Sequence, residues 1–554
     1  MNRADRRKTA KTNKERIDEY IQEGQSMMVA GGDLRQSQRL FRQVLALDPG
    51  DPQANLHLGV MEMWTRNYPK AQELFARAHE SDPRNPQILN NLGLSMHESG
   101  AIVEAMDLYQ QALQIDPNNA EARVNMARGL LHVNERDRAL AEARHAVTLR
   151  PEMGTAQFIL GTICQTMGLV DEARTALQKS VELIPGHMEA NFRLARLNYD
   201  PKNEDAYLEP ARKAFEDNSD NIDAAITFAE VLFGAKKFDE AQSVLSKFDQ
   251  EGDTSIKKLG IYNGLAHAKA NAGDFAGAIE YHKKSFTVTV DDPGSRYFYA
   301  RTLLWSGDFH GAADQFQKSI RGLPFHQDLI GMMALTQKLD GKTEAAKIEV
   351  ENLVKQEFLA PKEAYSSIDE LNKAILTKLE TEPPTDVHPF DRGRRIGDKS
   401  WETILGRAHL EPIIALAEPM QELMTGYVAD MPDGVNNHPL LARKQFGLGP
   451  SGSHAEAFTK TEGRDFGLDQ QGWFKIIYFL SAPQEVEDET KKAGWLRLGL
   501  PHFENDFGLS PDIEIKPESG KAVVMPAYHW HGFNALDAKE PVTFITVMVN
   551  ASVG

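Results

Sequence analysis

One cysteine, Cys164, stands in a chain of 554 residues. A lone thiol excludes an intrachain disulfide and any cysteine-rich zinc site, and its apolar neighbours make it a core-packing residue. No stretch approaches the roughly 18 consecutive apolar residues that a membrane span needs. There is no Gly-x-x-x-x-Gly-Lys phosphate loop and no Gly-x-Ser-x-Gly nucleophile elbow, which sets aside the chemistries those turns support. The acidic runs Glu485 to Glu489 and Glu504 to Asp506 lack the spacing of a calcium loop. Positive charge is in deficit: the net charge is -18, which argues against general nucleic-acid binding. The basic head, Met1 to Lys8, is at most a tail that touches something acidic. No apolar segment or small-residue cleavage site follows it, so a cytoplasmic protein is expected. What is present, 41% hydrophobic and 26% charged residues, suits a soluble globular chain long enough for at least two structural units.

The dominant feature is a repeat. Pro49, Pro83, Pro117, Pro151 and Pro185 recur 34 residues apart, each after an apolar helical pattern. That is the tetratricopeptide period. Small residues fall in register at Gly59, Gly93, Ala127, Gly161 and Ala195, and again at Ala71, Ala105, Ala139 and Ala173, where two helices must approach closely. Phe75, Tyr109 and Leu177 supply the bulk between them. The phase weakens at Phe228, Ala229 and Ala241, restarts at Leu265, Ala266 and Ala278, and continues through Tyr299, Ala300, Ala312 and Phe316 to Ala334 and Ala346. Residues 16–355 are therefore expected to form an α-solenoid of about nine or ten repeats after a flexible basic leader, 1–15. Its concave face is expected to hold a protein or peptide; a mere spacer is the competing reading.

After Lys355 the phase is lost, and Glu382-Pro383-Pro384-Thr385 punctuates a stretch, 356–386, expected to be a linker. Trp401 to Arg407 and Leu410 to Tyr427 read as helices. From Phe446 the pattern favours strands at Trp473 to Leu480, Gly494 to Leu498, Asp512 to Ile515, Ala522 to Met525 and Val542 to Val549. They imply a compact all-β core with the helices packed on it.

The run from Gly472-Trp473 to Leu480, then Gly494-Trp495-Leu496-Arg497-Leu498-Gly499, then Pro517 through Met525-Pro526-Ala527-Tyr528-His529-Trp530-His531-Gly532 resembles the 2-oxoglutarate and iron(II) oxygenases that carry tetratricopeptide repeats at their N-terminus. His388-Pro389-Phe390-Asp391 and His438-Pro439 extend the likeness over roughly the last 165 residues. The fold it implies for 387–554 is a double-stranded β-helix, or jelly roll, with Fe(II) as cofactor and 2-oxoglutarate as cosubstrate.

By that resemblance His531 takes the place of the distal iron ligand, an imidazole beside a carboxylate in a facial triad. His529 is expected to share its face and to act behind it. The first half of the triad departs from the family: Asp469 stands where the carboxylate belongs, without its leading histidine. Upstream, His454 and Glu456 place two donors on one face of a strand, if 457–471 is an insertion. Both choices stay open. The arginine that commonly grips the far carboxylate of 2-oxoglutarate is replaced by Pro541, leaving Lys475, Arg497, Arg443 or Lys444 to supply the cation. The resemblance implies an oxygenase that hydroxylates a polypeptide recruited by the repeats. A non-catalytic scaffold with a relic oxygenase domain is the alternative, and a small-molecule hydroxylase the third.

Overall fold

The computed structural model describes residues 3–29, 33–133, 135–200, 203, 205–249, 257–324, 326–341, 353–361, 364–381, 399–402, 411–432, 447–461, 466–467, 472–500 and 508–552. It divides into two units, Met1–Thr227 and Phe228–Gly554.

The first unit is a series of helix pairs, among them Pro52–Trp64 with Tyr68–Ser81, Pro86–Glu98 with Ile102–Ile115, Ala120–His132 with Arg136–Leu149, and Gly154–Thr166 with Val170–Leu183. Side-chain caps, Asp51, Asn85 and Asn119, fix where the first helix begins in the first three of these pairs. Asp51 accepts from the Ala54 N–H at 2.8 Å and Asn119 from the Ala122 N–H at 3.0 Å, satisfying donors that the helix itself leaves open. Pro52 and Pro86 occupy the first turn, where a missing N–H costs nothing.

The small residues in register are small because a ring faces them. A Cβ added at Gly59 would meet the Phe75 ring at 2.5 Å, and one at Gly93 the Tyr109 ring at 2.7 Å. The recurring prolines have a second role that their period alone does not disclose. Asn55, Gln157 and Asn191 donate through their amides to the carbonyls of Pro49, Pro151 and Pro185 at 3.1, 3.0 and 3.2 Å. Arg123 donates to Pro117 O in the same place at 2.7 Å. These four turn carbonyls are thus satisfied from the helix that follows each. The expected flexible leader is different: residues 3–15 belong to the helix Arg3–Val29. No proline or glycine interrupts the sequence from Arg3 to Glu23, so nothing stops the helix of the first repeat from extending backwards.

In the second unit Lys257–Asn271 pairs with Phe275–Val288 and Pro293–Trp305 with Phe309–Ser319, followed by Gln327–Leu339. Ala346, expected in a last repeat, lies outside the described residues. No helix among those described is long and apolar enough to cross a membrane.

Ten strands follow: β1 Lys355–Phe358, β2 Lys399–Glu402, β3 Gly447–Thr461, β4 Phe466–Gly467, β5 Phe474–Ser481, β6 Leu496–Leu498, β7 Ile513–Ile515, β8 Lys521–Pro526, β9 His531–Phe533 and β10 Leu536–Ser552. They form an antiparallel sheet ordered β1-β8-β5-β10-β3-β2 and a second, also antiparallel, ordered β4-β9-β6-β7. On one face of the larger sheet Phe474, Ile476, Tyr478 and Leu480 pack with Leu371, Ile375, Leu416 and Met420 from the helices Ile368–Thr381 and Glu411–Asp430. On the other, Ile477, Phe479 and Phe544 meet Leu496, Leu498 and Phe533 of the smaller sheet. Burial on both faces is why β5 reads as an apolar run interrupted by Lys475 instead of a regular alternation.

Three expectations are corrected here. The described part of the expected linker 356–386 is not a bare linker, because β1 pairs with β8 and Leu371, Ile375 and Leu379 are buried in the sheet's core. Trp401 lies on a strand opposite Ala455, not on a helix, and the rest of the expected helix falls outside the described residues. Residues 457–461 are no insertion: β3 continues through them, with Phe458 in the intersheet core.

Candidate functional site

Alternation along β3 sends Ala455 and Ala457 to the helix-covered face and His454, Glu456 and Phe458 towards the smaller sheet. On β5 Lys475 shares the parity of Ile477, and on β9 His531 shares that of Phe533 and sits opposite Leu498. Four polar side chains therefore project into the space between the sheets. His454, Glu456, Lys475 and His531 are all buried, at 8%, 2%, 4% and 7% exposure, so each needs a partner.

The structure brings them together in two pairs. His454 Nε2 donates to Glu456 Oε1 at 2.9 Å. Lys475 Nζ donates to His531 Nε2 at 2.6 Å, while His531 Nδ1 lies 3.1 Å from the carbonyl of His529. A carbonyl only accepts, so Nδ1 carries the proton and Nε2 offers its lone pair to the ammonium. His529 was expected to share the face of His531 but lies in the turn before β9 and not on the strand; it meets His531 through its main-chain carbonyl. Thr546 on β10 pairs in register with His454 and with Ile477, and is buried at the same level. A threonine in the otherwise apolar stretch Phe544–Val549 was its only signal.

The ligands of an iron centre need free lone pairs converging on one point. Among the described residues no group of three or more His, Cys, Asp or Glu is placed to hold a metal ion. His531 Nε2 is taken by Lys475, and His454 Nε2 by Glu456. The described residues do not fit a facial triad as they stand; Asp469 lies outside them, as do Arg443 and Lys444. Arg497 does not share the site. It faces Gly532 and Glu514 across its strands, on the opposite side of β6 from Leu496 and Leu498. Burial lowers its pKa while Glu514 raises it.

The segment carrying His529 and His531 is tied to the last repeat helix. Trp530 Nε1 donates to Gly331 O at 3.3 Å and its ring joins the core of that repeat. Lys338 donates to Gly499 O at 3.1 Å and pairs with Asp512, both side chains being nearly buried.

Tetratricopeptide-repeat family models match residues 28–92 and 96–152, 65–120, and 155–187. No curated protein matches the chain. Among solved structures, PilF of Pseudomonas aeruginosa is 19% identical, covering 38% of this chain and 96% of its own, with a TM-score of 0.33. A thermophilic tetratricopeptide protein of Thermus thermophilus is 20% identical over 33% of this chain and 98% of its own, at 0.29. YrrB, described as having an unusual peptide-binding site, is 21% identical over 33% and 95%, at 0.25. The N-terminal residues, from 28 to 187, are tetratricopeptide repeats.

Proposed function

We propose that the chain is a cytoplasmic interaction scaffold that holds a polypeptide on its tetratricopeptide repeats and carries a β-sheet module fastened to the last of them. The observation that carries this reading is the repeat register itself. Close-packed pairs such as Gly59 with Phe75 and Gly93 with Tyr109 commit one side of each helix to its neighbour, leaving a continuous surface built from successive repeats. Selection of a random twelve-residue peptide library on the intact chain tests it. Enriched peptides should cross-link to the repeat helices; no enrichment, or cross-links confined to residues after 355, would end this reading.

A second reading, a 2-oxoglutarate and Fe(II) oxygenase acting on the held polypeptide, draws support from the sheets. Strands β3, β5, β8 and β10 in one sheet and β4, β6, β7 and β9 in the other are the distribution a jelly roll gives. His454, Glu456, Lys475 and His531 also project between them. In that reading His531, with His454 and either Glu456 or Asp469, would hold iron that activates oxygen, and Lys475 would leave His531 Nε2 to grip a carboxylate of the cosubstrate. Anaerobic titration with ferrous iron and 2-oxoglutarate decides: a visible charge-transfer band, lost in His531→Ala, supports the enzyme. A folded protein without that band leaves the scaffold.

A further inference from the structure

Helix Arg3–Val29 is 27 residues long and packs on Leu34–Leu47, which has 14. Its share of the first repeat's core comes from Ile17, Tyr20, Ile21 and Met28, and a Cβ at Gly24 would meet the Phe41 ring at 2.8 Å. At 1.5 Å per residue, Arg3 stands about 21 Å along the helix from Ile17. Residues 3–16 hold seven cations and two carboxylates, a net of +5 on a chain whose total is -18. Arg3, Arg7, Lys11 and Lys14 are spaced four, four and three positions apart, which is one face of a helix. With Arg6 they occupy an arc of roughly 140° around the axis. Asp5 and Glu15 fall outside that arc. So does Arg16, which is turned to its own helix: it donates to the Tyr20 hydroxyl at 3.2 Å, and its guanidinium lies 5.7 Å from that ring.

Among residues 3–16 only Ala4 and Ala10 are apolar, so this stretch has no face to bury in a lipid surface or in another protein's groove. It offers charge alone. The remainder of the chain, at -23, repels polyanions, but at physiological salt that repulsion is screened beyond about 8 Å, well short of the helix's reach. Duplex DNA carries one charge per about 1.7 Å of its axis, and its major groove, about 12 Å wide, admits a helix with phosphates along both edges. A basic arc of this width can address both edges, and arginine pairs bidentately with phosphate oxygens. The deep, narrow major groove of duplex RNA closes that route. We propose that the helical segment Arg3–Lys14 binds the phosphate backbone of double-stranded DNA without reading its sequence, and that the acidic remainder of the chain confines contact to this segment. Such binding is independent of what the repeats or the sheets hold.

Fluorescence anisotropy of a labelled DNA duplex of arbitrary sequence, titrated with the intact chain between about 50 and 200 mM NaCl, tests this. The logarithm of the binding constant should fall against that of salt with a slope of about -4, as for four or five neutralised phosphates at about 0.9 each. Arg3→Gln with Arg7→Gln should flatten the slope by about 1.8 and weaken binding at low salt by about tenfold or more. Arg16→Gln removes a cation off the arc and should change binding by less than about threefold. Exchanging Arg7 with Thr9 and Lys11 with Thr12 keeps the composition while moving two cations off the face, so it should flatten the slope as the double substitution does. Absence of binding at low salt, an exchanged variant that binds like the parent, or equal or tighter binding to duplex RNA, polyglutamate or phosphatidylserine vesicles would overturn the assignment.

Discussion

Gly59 is the residue at which the repeat geometry is least forgiving. Its missing side chain is the space into which Phe75 projects, and the ring has no room to retreat, being fully buried itself. Gly59→Ala should destabilise the first unit by about 1–3 kcal/mol through overpacking, although alanine is the better helix former by up to about 1 kcal/mol. Urea unfolding followed by circular dichroism measures this, and Phe75→Leu in the same chain should restore part of the loss. Histidines provide a second handle at this scale. His282 is fully buried, bonds Thr302 Oγ1 at 2.9 Å, and is held neutral with a pKa lowered to about 3, chiefly by burial. Its pKa is lower folded than unfolded, so between about pH 6.5 and pH 3 the unfolded chain binds the proton that the folded one refuses. Stability is therefore lost as the pH falls through that window, at up to about 1.4 kcal/mol per pH unit from this group. Melting temperatures from pH 7 to pH 4.5 should show the decline, and His282→Gln should make it shallower even if its melting temperature at pH 7 is lower.

Among the elements, β5 shows why some of the C-terminal region was legible and some was not. A strand buried on both faces announces itself as Phe474-Lys475-Ile476-Ile477-Tyr478-Phe479-Leu480, and β8 and β10 do likewise. The helix Ile368–Thr381 is as well buried at Leu371 and Ile375 but follows a loss of repeat phase and precedes Pro383-Pro384, so composition made it look like a junction. Its tie to the sheet is a polar one that no pattern displays: Tyr478 donates to Asn372 Oδ1 at 2.7 Å, and Asn372 Nδ2 donates to Ser519 Oγ at 3.0 Å. Tyr478→Phe should cost about 1–3 kcal/mol, because it leaves a buried amide oxygen without its donor. Hydrogen exchange should then rise in residues 368–381 before it rises in β5; unchanged protection there would mean the helix is held by its apolar face alone. The candidate site divides along the same line. His454, Glu456, Lys475 and His531 were named from residue type and resemblance, and strand parity puts them in one space. Arg497 was named on charge and reach, but whether a strand residue points inwards depends on register. A shift of one position decides it.

At the scale of the whole molecule, the change of pattern at Lys355 does not mark where the sheet module becomes independent. Ile330 of the last repeat helix belongs to the same core as Tyr478 and Val547, Trp530 inserts its ring between repeat residues, and Lys338 reaches Asp512 and Gly499. Cutting the chain at 356 removes Lys338 and exposes that core. It leaves Asp512, nearly buried, without its cation, and the loss of one partner of a buried ion pair typically costs about 3–5 kcal/mol. A fragment beginning at Lys257 keeps these contacts and should unfold cooperatively in urea, resisting limited proteolysis through β5 to β10. A fragment beginning at Gln356 should aggregate or be cleaved within the strands. Lys338→Met in the longer fragment separates the two contributions: if the ion pair dominates, its unfolding midpoint should fall most of the way towards that of the shorter piece, whereas packing by Ile330 and Trp530 would keep it near the parent. Equal stability of the two fragments would show that the sheets fold without the repeats, and that these contacts only position one against the other.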